Sequence, residues 1–349
     1  MHRDSPLQSR LTQHLQALKQ QATATLNRII PQGLPCALLD FPHYSNVGDS
    51  AIWLGEMDYC RSTGKRLRYV ASMTSYAEPV LRRAMPHGVV LLQGGGNFGS
   101  LWKAHQDHRL EVLHRLRDYK VVQLPQSLFF GDDTACFAQA AQAIQQHPDF
   151  TLVVRDQASL ELGNQLGART VLCPDSAVFL AGRLQPQAPQ FDCFALTRTD
   201  KESTGRDWPQ PPTDLTTAHG DWLDEPDHWI APWLKRLQQR AHGRFGHLYA
   251  FQQALLAAFN TVANARLQRG VEQLSQGRVV VTDRLHAHLL STLLHIPNVV
   301  LDNHYGKIHG YMESWDDGIN RTCHNVEEVW SHAIAILQSK APGKSGTYK

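Results

Sequence analysis

Val89-Val90-Leu91-Leu92-Gln93 runs directly into Gly94-Gly95-Gly96-Asn97-Phe98-Gly99. Four consecutive apolar residues, two of them β-branched, read as a strand buried on both faces, because a strand with one wet face would alternate. The glycines are expected to end that strand and turn the chain toward a helix read over 103–119. Strand, turn and helix in that order are the unit of a parallel α/β sheet. The glycine run also matches G-x-G-x-x-G, the dinucleotide fingerprint. That fingerprint belongs in the first strand–helix turn, with an acid ending the next strand to hold a ribose. Here the next strand ends Leu124-Pro125-Gln126-Ser127, without an acid. A nicotinamide cofactor is therefore disfavoured, and the glycines are expected to let a sugar or phosphate approach the backbone.

The same rhythm extends in both directions. Strands are expected at 36–41, 67–71, 89–93, 121–124, 152–155 and 170–173, with helices at 49–62, 76–84, 103–119, 134–147 and 157–166. The stretch 181–190, AGRLQPQAPQ, breaks the pattern and reads as a linker. Beyond it come a strand at 191–197, a region 201–246 without periodicity that holds a short strand near 214–217, and a helix at 250–276. The pattern then resumes with a strand at 278–282, a helix at 284–295, a strand at 298–302 and a helix at 326–338. The expected class is α/β, with two Rossmann-like domains facing a cleft. The divisions are an N-terminal helical segment at 1–30, a first domain at 31–183, a second at 190–340 and a frayed tail at 341–349.

Composition narrows the function. Apolar residues make up 42% of 349, enough for real cores and too many for a disordered chain. With 34 basic and 32 acidic residues the formal charge is +2, which leaves no nucleic-acid footprint. The six cysteines form no C-x-x-C pair, and Cys36, Cys173 and Cys193 sit in apolar runs as small hydrophobes, consistent with a reducing compartment. No apolar run reaches the ~20 residues of a spanning helix, and the first residues are too polar for a signal peptide. A cytoplasmic chain is expected. Within 6–30, Leu7, Leu11, Leu15, Leu18 and Leu26 form a stripe that either packs on the body or docks peripherally on the inner face of a membrane.

Ligands of open α/β sheets bind beyond the carboxyl ends of the strands. After the first strand, Asn46 and Gly48 permit a tight turn. Asp49 or Ser50 is expected to cap the next helix, and Asp49 is either a plain cap or a carboxylate that orients a hydroxyl or takes its proton. Arg155-Asp156 and Cys173-Pro174-Asp175 follow later strands. A structural salt bridge at Arg155 is an ordinary outcome, whereas Asp175, at the end of the first half, is placed to face the cleft. In the second half, one strand ends at Arg198 and another leads into Asp283-Arg284-Leu285-His286. Two arginines at two strand ends suit a ligand with two anionic groups, since guanidinium forks bind carboxylate and phosphate bidentately. His286 is placed to move a proton near neutral pH. His288, two residues on, points elsewhere on a helix. His304, Lys307 and His309 follow the next strand and are further candidates.

Seven segments, in order and at strand ends, resemble the polysaccharide pyruvyl transferases, particularly bacterial exopolysaccharide members. They are Asn46-Val47-Gly48-Asp49, Gln93-Gly94-Gly95-Gly96-Asn97, Leu124-Pro125-Gln126-Ser127, Val154-Arg155-Asp156, Cys173-Pro174-Asp175, Arg198-Thr199-Asp200 and Thr282-Asp283-Arg284-Leu285-His286. The resemblance implies a fold similar to GT-B glycosyltransferases, phosphoenolpyruvate as donor and co-substrate, and a glycan sugar diol, lipid-linked in one version, as acceptor. The product is then a pyruvate ketal. It implies donor binding by Arg198, Arg284, Leu285 and His286. Asn46, Asp49, Gly94, Gly95, Gly96, Asn97 and Gln126 become the acceptor side, with His286 and Asp49 as catalytic residues and no metal or cofactor required. Two other classes remain open on the residues alone. One is a nucleotide-sugar glycosyltransferase of similar architecture, and the other a non-catalytic glycan-binding protein using tryptophans at 208, 222, 229 and 233. Intact Arg284, His286 and Asp49 weigh against the latter. Nothing in the sequence sets an oligomeric state.

Overall fold

Every apolar run read as a strand forms one, and every strand pairing among the described residues is parallel. The computed structural model describes residues 6–198, 208, 210–223, 225, 230–302, 306–315, 320–323 and 325–339. The first sheet contains β1 (Pro35–Leu39), β2 (Arg66–Ala71), β3 (Val89–Leu92), β4 (Gly95–Gly99), β5 (Lys120–Phe129), β6 (Phe150–Val154) and β7 (Arg169–Leu172). Its order is β2-β1-β3-β5-β6-β7, with β4 also paired to β5. Helices α1 (Pro6–Ile29), α2 (Val47–Ser62), α3 (Glu78–Ala84), α4 (Lys103–Arg115), α5 (Thr134–Gln146) and α6 (Gln157–Gln165) accompany it.

The second sheet has the order β12-β11-β10-β8-β9. It is built from β8 (Phe191–Leu196), β9 (Thr217–Gly220), β10 (Gly277–Thr282), β11 (Asn298–Leu301) and β12 (Arg321–Cys323). Its helices are α7 (Ile230–Ala241), α8 (Tyr249–Leu274), α9 (Leu285–Leu293), α10 (Lys307–Trp315) and α11 (Glu328–Ser339). The chain is thus α/β with two Rossmann-like parallel sheets. Sequence reading misses α10 and β12 and places β9 three residues early. The tail at 341–349, together with Thr199, Asp200, Trp229 and His304, lies outside the described residues.

The glycine run corrects one expectation. It does not turn into a helix; it resumes the line of β3 as β4. Leu92 sits opposite Gln123 of β5, and Gly95 opposite Gln126. β5 runs ten residues and is buried along most of its length, so its backbone groups need a partner beyond the end of β3. Pro125 has no N–H to give, and the ladder shifts register around it. The two strands approach so closely there that a Cβ on Gly94 would sit 2.5 Å from the Pro125 carbonyl oxygen. Gly95 has φ +136°, a conformation open to glycine.

One apolar core joins both halves. Leu11, Leu15, Leu18 and Leu26 of α1, Val47 and Trp53 of α2, Phe259 of α8 and Leu285 of α9 belong to the same buried cluster. These four α1 leucines therefore face inward, which corrects the reading that they meet a membrane: Leu26 is 1% exposed, while the Leu7 side chain lies outside the described residues. Helix α8 belongs to the second half by sequence, yet packs on α2 and β2 of the first. Phe259 stacks on Phe41 with ring centroids 4.0 Å apart, and Trp53 Nε1 donates to Asn260 Oδ1 at 2.9 Å. Cys36, Cys173 and Cys193 are wholly buried free thiols. No described helix is long and apolar enough to cross a membrane.

Because α1 is part of the shared core, Leu26→Ala is expected to destabilise the whole chain by about 2–4 kcal/mol in urea unfolding. An unchanged midpoint would show that α1 packs independently.

Candidate active site

The carboxyl ends of both sheets converge on one cleft of about 280 Å³. On the first half, the turn after β1 leads into α2, and Asn46 is the residue that caps it. Its Oδ1 accepts from the Gly48 N–H at 3.0 Å, and its Nδ2 donates to Asp49 Oδ2 at 2.8 Å. This corrects the expectation that Asp49 or Ser50 is the cap. Asp49 lies in the first turn, where the helix dipole favours a carboxylate. Gln93 Nε2 donates to its backbone oxygen at 2.9 Å. Burial, then the nearby charges of Asp49 and Asp40, hold the Tyr44 phenol well above its ordinary range.

A second carboxylate acts nearby. Asp40 directly follows β1, is buried, and has φ +72°, a strained conformation for a residue with a side chain. Its Oδ2 lies 2.9 Å from Nδ1 of His105, which faces the cleft from the first turn of α4. This carboxylate–histidine pair escapes sequence reading, since the partners stand 65 residues apart.

Asn97 lines the cleft from β4. Its Oδ1 accepts from Gln126 Nε2 at 2.7 Å and from a terminal nitrogen of Arg109 at 2.8 Å. With that oxygen occupied twice, the amide NH₂ is the end turned to a ligand. Arg109 is buried, lies 4.4 Å over the Phe98 ring, and donates through Nε to Gln123 at 2.7 Å. Burial lowers its pKa to about 10. Three expected ligand residues do not reach the cleft wall. Gln126 is buried behind Asn97, Gly94 gives its N–H to Glu56 at 2.9 Å, and Gly95 lies under Asp49, where a Cβ would come 3.4 Å from Oδ1. Gly96 does line the cleft.

The second half contributes Arg198 after β8 and Arg284, Leu285 and His286 at the start of α9. Arg284 is the residue preceding α9 and is buried; it donates to Asp221 Oδ1 at 2.5 Å. Asp221, just past β9, is a further residue that sequence reading misses. The backbone N–H of Arg198 donates to Asp283 Oδ1 at 2.9 Å, which ties the end of β8 to the end of β10. Burial raises the Asp283 carboxyl to about 6, against opposition from that N–H and the two arginines. Trp222 and Trp102 complete the wall. Trp208 packs on the second sheet's outer core, and Trp233 is solvent-exposed away from the cleft lining.

His286 belongs to one half and is held by the other. Its Nε2 lies 3.3 Å from an Arg155 nitrogen and 3.5 Å from Asp175 Oδ2. The Arg155 nitrogen can only donate, and the Asp175 oxygen only accepts, so the ring finds a partner in either protonation state. Arg155 and Asp175 are wholly buried and pair at 2.5 Å. Burial pushes the Asp175 carboxyl up, but Arg155 and His286 outweigh it and hold it well below the usual range. Asp175 thus backs His286 and does not open to the cleft. Arg155 Nε donates to Ser127 Oγ at 2.9 Å, and that hydroxyl donates to Asp156 at 2.5 Å. Ring Nδ1 faces Gly48: a Cβ there would lie 2.5 Å away. His288 is buried on Asn298, and His309 pairs with Glu313 on the surface. The side chain of Lys307 lies outside the described residues.

The family model for polysaccharide pyruvyl transferase matches residues 46–305, 260 of the 349 residues. The chain belongs to the polysaccharide pyruvyl transferase family. It is 28% identical over 315 residues to a Bacillus subtilis (strain 168) protein named pyruvyl transferase EpsO, covering 88% of this chain and 92% of that one. Identity to Pyruvyl transferase 1 of Schizosaccharomyces pombe is 28% over 320 residues, covering 84% and 74%. An uncharacterised Klebsiella pneumoniae protein of known structure superposes with a TM-score of 0.54 at 15% identity, covering 92% of this chain and all of that one, which speaks to fold alone. The pyruvyl transferase match begins at the residue that caps α2, so all of the cleft lining except Tyr44 and Ser45 falls within it.

Two outcomes test this seam. Ala in place of Gly normally strengthens a helix by ~1 kcal/mol. Gly48→Ala is instead expected to destabilise by about 1–3 kcal/mol in urea unfolding, by displacing His286. Asp283, with its pKa raised in the folded chain, binds its proton more tightly folded than unfolded. Its contribution is fully present below about pH 4 and is lost as pH rises through about 6. Relative to Asp283→Asn, the wild type should lose on the order of 2–3 kcal/mol across that interval. A pH-independent difference would contradict the assignment.

Proposed function

We propose that the protein transfers pyruvate from phosphoenolpyruvate onto two hydroxyls of a glycan sugar, forming a cyclic ketal of the kind that decorates exopolysaccharides. The observation that carries this reading is the joining of Arg198, Arg284, Asp49 and His286 in one cleft. Phosphoenolpyruvate carries a carboxylate and a phosphate. Two arginines from adjacent strands suit that pair of anions, with Asp221 fixing the angle of Arg284.

The chemistry needs two protons delivered, one to carbon and one to the leaving phosphate, and two removed. His286 gives a proton to the methylene carbon of the donor, leaving positive character on the carbon that bears carboxylate and phosphate. The first acceptor hydroxyl bonds to that carbon and gives its proton to Asp49. The carbon–oxygen bond to phosphate then breaks, and the arginines stabilise the departing charge. The second hydroxyl adds to the same carbon and loses its proton to His105, oriented by Asp40. The methyl group keeps the proton from His286, and the phosphate leaves with the one Asp49 took from the first hydroxyl; the proton on His105 returns to His286 through solvent, so the count closes. Asn97 and the Trp102 ring hold the sugar by hydrogen bond and ring face, with buried Trp222 behind the wall.

Calorimetric titration with phosphoenolpyruvate tests the donor. Saturable binding is expected, lost in Arg198→Ala and in Arg284→Ala, with UDP unable to compete. Binding of UDP or a UDP-sugar in place of phosphoenolpyruvate would make the protein a glycosyltransferase. His286→Ala is expected to lower turnover by at least about 10²-fold, the usual worth of a general acid, and near-native turnover would remove that role.

A further inference from the structure

A cavity of about 510 Å³ lies outside the active site, at the amino ends of the strands. Arg61, Arg66, Arg68, His87 and Tyr249 line it, and among the described residues no acidic side chain does. Lys65 is turned inward, donating to the Ile30 carbonyl at 2.8 Å, and burial lowers its pKa. The arginines stay outward. Arg66 spends one donor on the Gly33 carbonyl, Arg61 one on Asp58, and Arg68 lies 4.6 Å over the Tyr249 ring. Each guanidinium carries five donors, so most of this donor set faces solvent.

The rim is the turn between α7 and α8. Phe245 is 63% exposed, Leu248 45% and Tyr249 50%. Three large apolar side chains within five residues, standing in water, are unusual on a soluble surface. The turn is firmly held. Gln252 donates to the Gly246 carbonyl at 2.7 Å and accepts from the Val70 N–H at 2.8 Å, and His242 bonds the Thr74 carbonyl at 2.9 Å. The sequence concentrates positive charge on both sides of it. Residues 59–77 and 230–271 contain no Asp or Glu, although the whole chain is nearly neutral at +2. On α7 and just beyond, Lys235, Arg236, Arg240 and Arg244 are exposed. Glu78 of α3, beneath the turn, is already paired with Arg82 at 2.8 Å.

We propose that this groove and its rim form a docking surface for an anionic phospholipid bilayer. Headgroup phosphates take the arginines, and Phe245, Leu248 and Tyr249 enter the boundary between headgroups and acyl chains. A bilayer with anionic lipids offers dense negative charge directly above hydrocarbon, which matches a rigid apolar prong set in a basic field. The proposal goes beyond the transfer reaction and does not depend on the identity of the donor.

Co-sedimentation of the full-length protein with vesicles tests it, using phosphatidylcholine alone and mixed with phosphatidylglycerol. Partition onto the mixed vesicles is expected, well above that onto neutral ones, and weakened at about 0.5 M salt, where screening shortens to a few ångströms. The triple variant Phe245→Ser, Leu248→Ser, Tyr249→Ser and the pair Arg66→Gln, Arg68→Gln should each lower partition by about tenfold. All these side chains are exposed, so circular dichroism and phosphoenolpyruvate binding should match wild type. Absence of wild-type partition onto anionic vesicles would overturn the proposal, as would partition indifferent to both variants. Binding to heparin without binding to vesicles would assign the groove to a soluble polyanion instead.

Discussion

The buried pair of Arg155 and Asp175 is the constraint around which the cleft is arranged. Two opposite charges with no solvent exposure are worth keeping only if their remaining donors and acceptors are used. Most are, at three places, while Arg155 Nη2 has no partner among the described residues. Ser127 takes one arginine nitrogen, the backbone N–H of Ala177 takes the second carboxylate oxygen, and the His286 ring meets both partners. The first half thereby holds the His286 ring of the second. Trp315 adds a further tie, donating to the Arg155 carbonyl at 2.7 Å.

Around that pair, residues that touch the cleft differ from those that aim them. Asn97 faces the cleft because Gln126 and Arg109 saturate its oxygen. Arg284 is aimed by Asp221, and His105 by Asp40. In each case a buried or nearly buried polar partner fixes the rotamer of a side chain that lines the cleft. Burial makes these bonds strong and their loss expensive, so the geometry is rigid before any ligand arrives.

The parallel sheets and most cleft residues were legible from sequence, because buried parallel strands announce themselves as apolar runs and their carboxyl ends share one edge. Asp49, Arg198, Arg284 and His286 each follow such a run closely. The partners that arrive through tertiary contact were not legible. His105 sits in a helix turn with no local mark, Arg109 lies on the buried side of that helix, and Asp221 follows a strand hidden in a stretch without periodicity. The glycine run misled for a physical reason. A glycine with positive φ signals a turn in most settings, and Pro125 suggested that β5 stopped, whereas the two irregular segments pair with each other. Asn46 was passed over as a cap because Asp49 and Ser50 are equally good capping types.

Gly48 carries a larger consequence than its size suggests. Because it has no side chain, the His286 ring can lie flush against α2 while reaching the ion pair behind it. Any motion that parts the two halves must draw the ring off that surface and away from Arg155 and Asp175 together. The width of the cleft and the partners of its histidine are then a single coordinate. A gaping molecule would leave the ring without either of those buried partners.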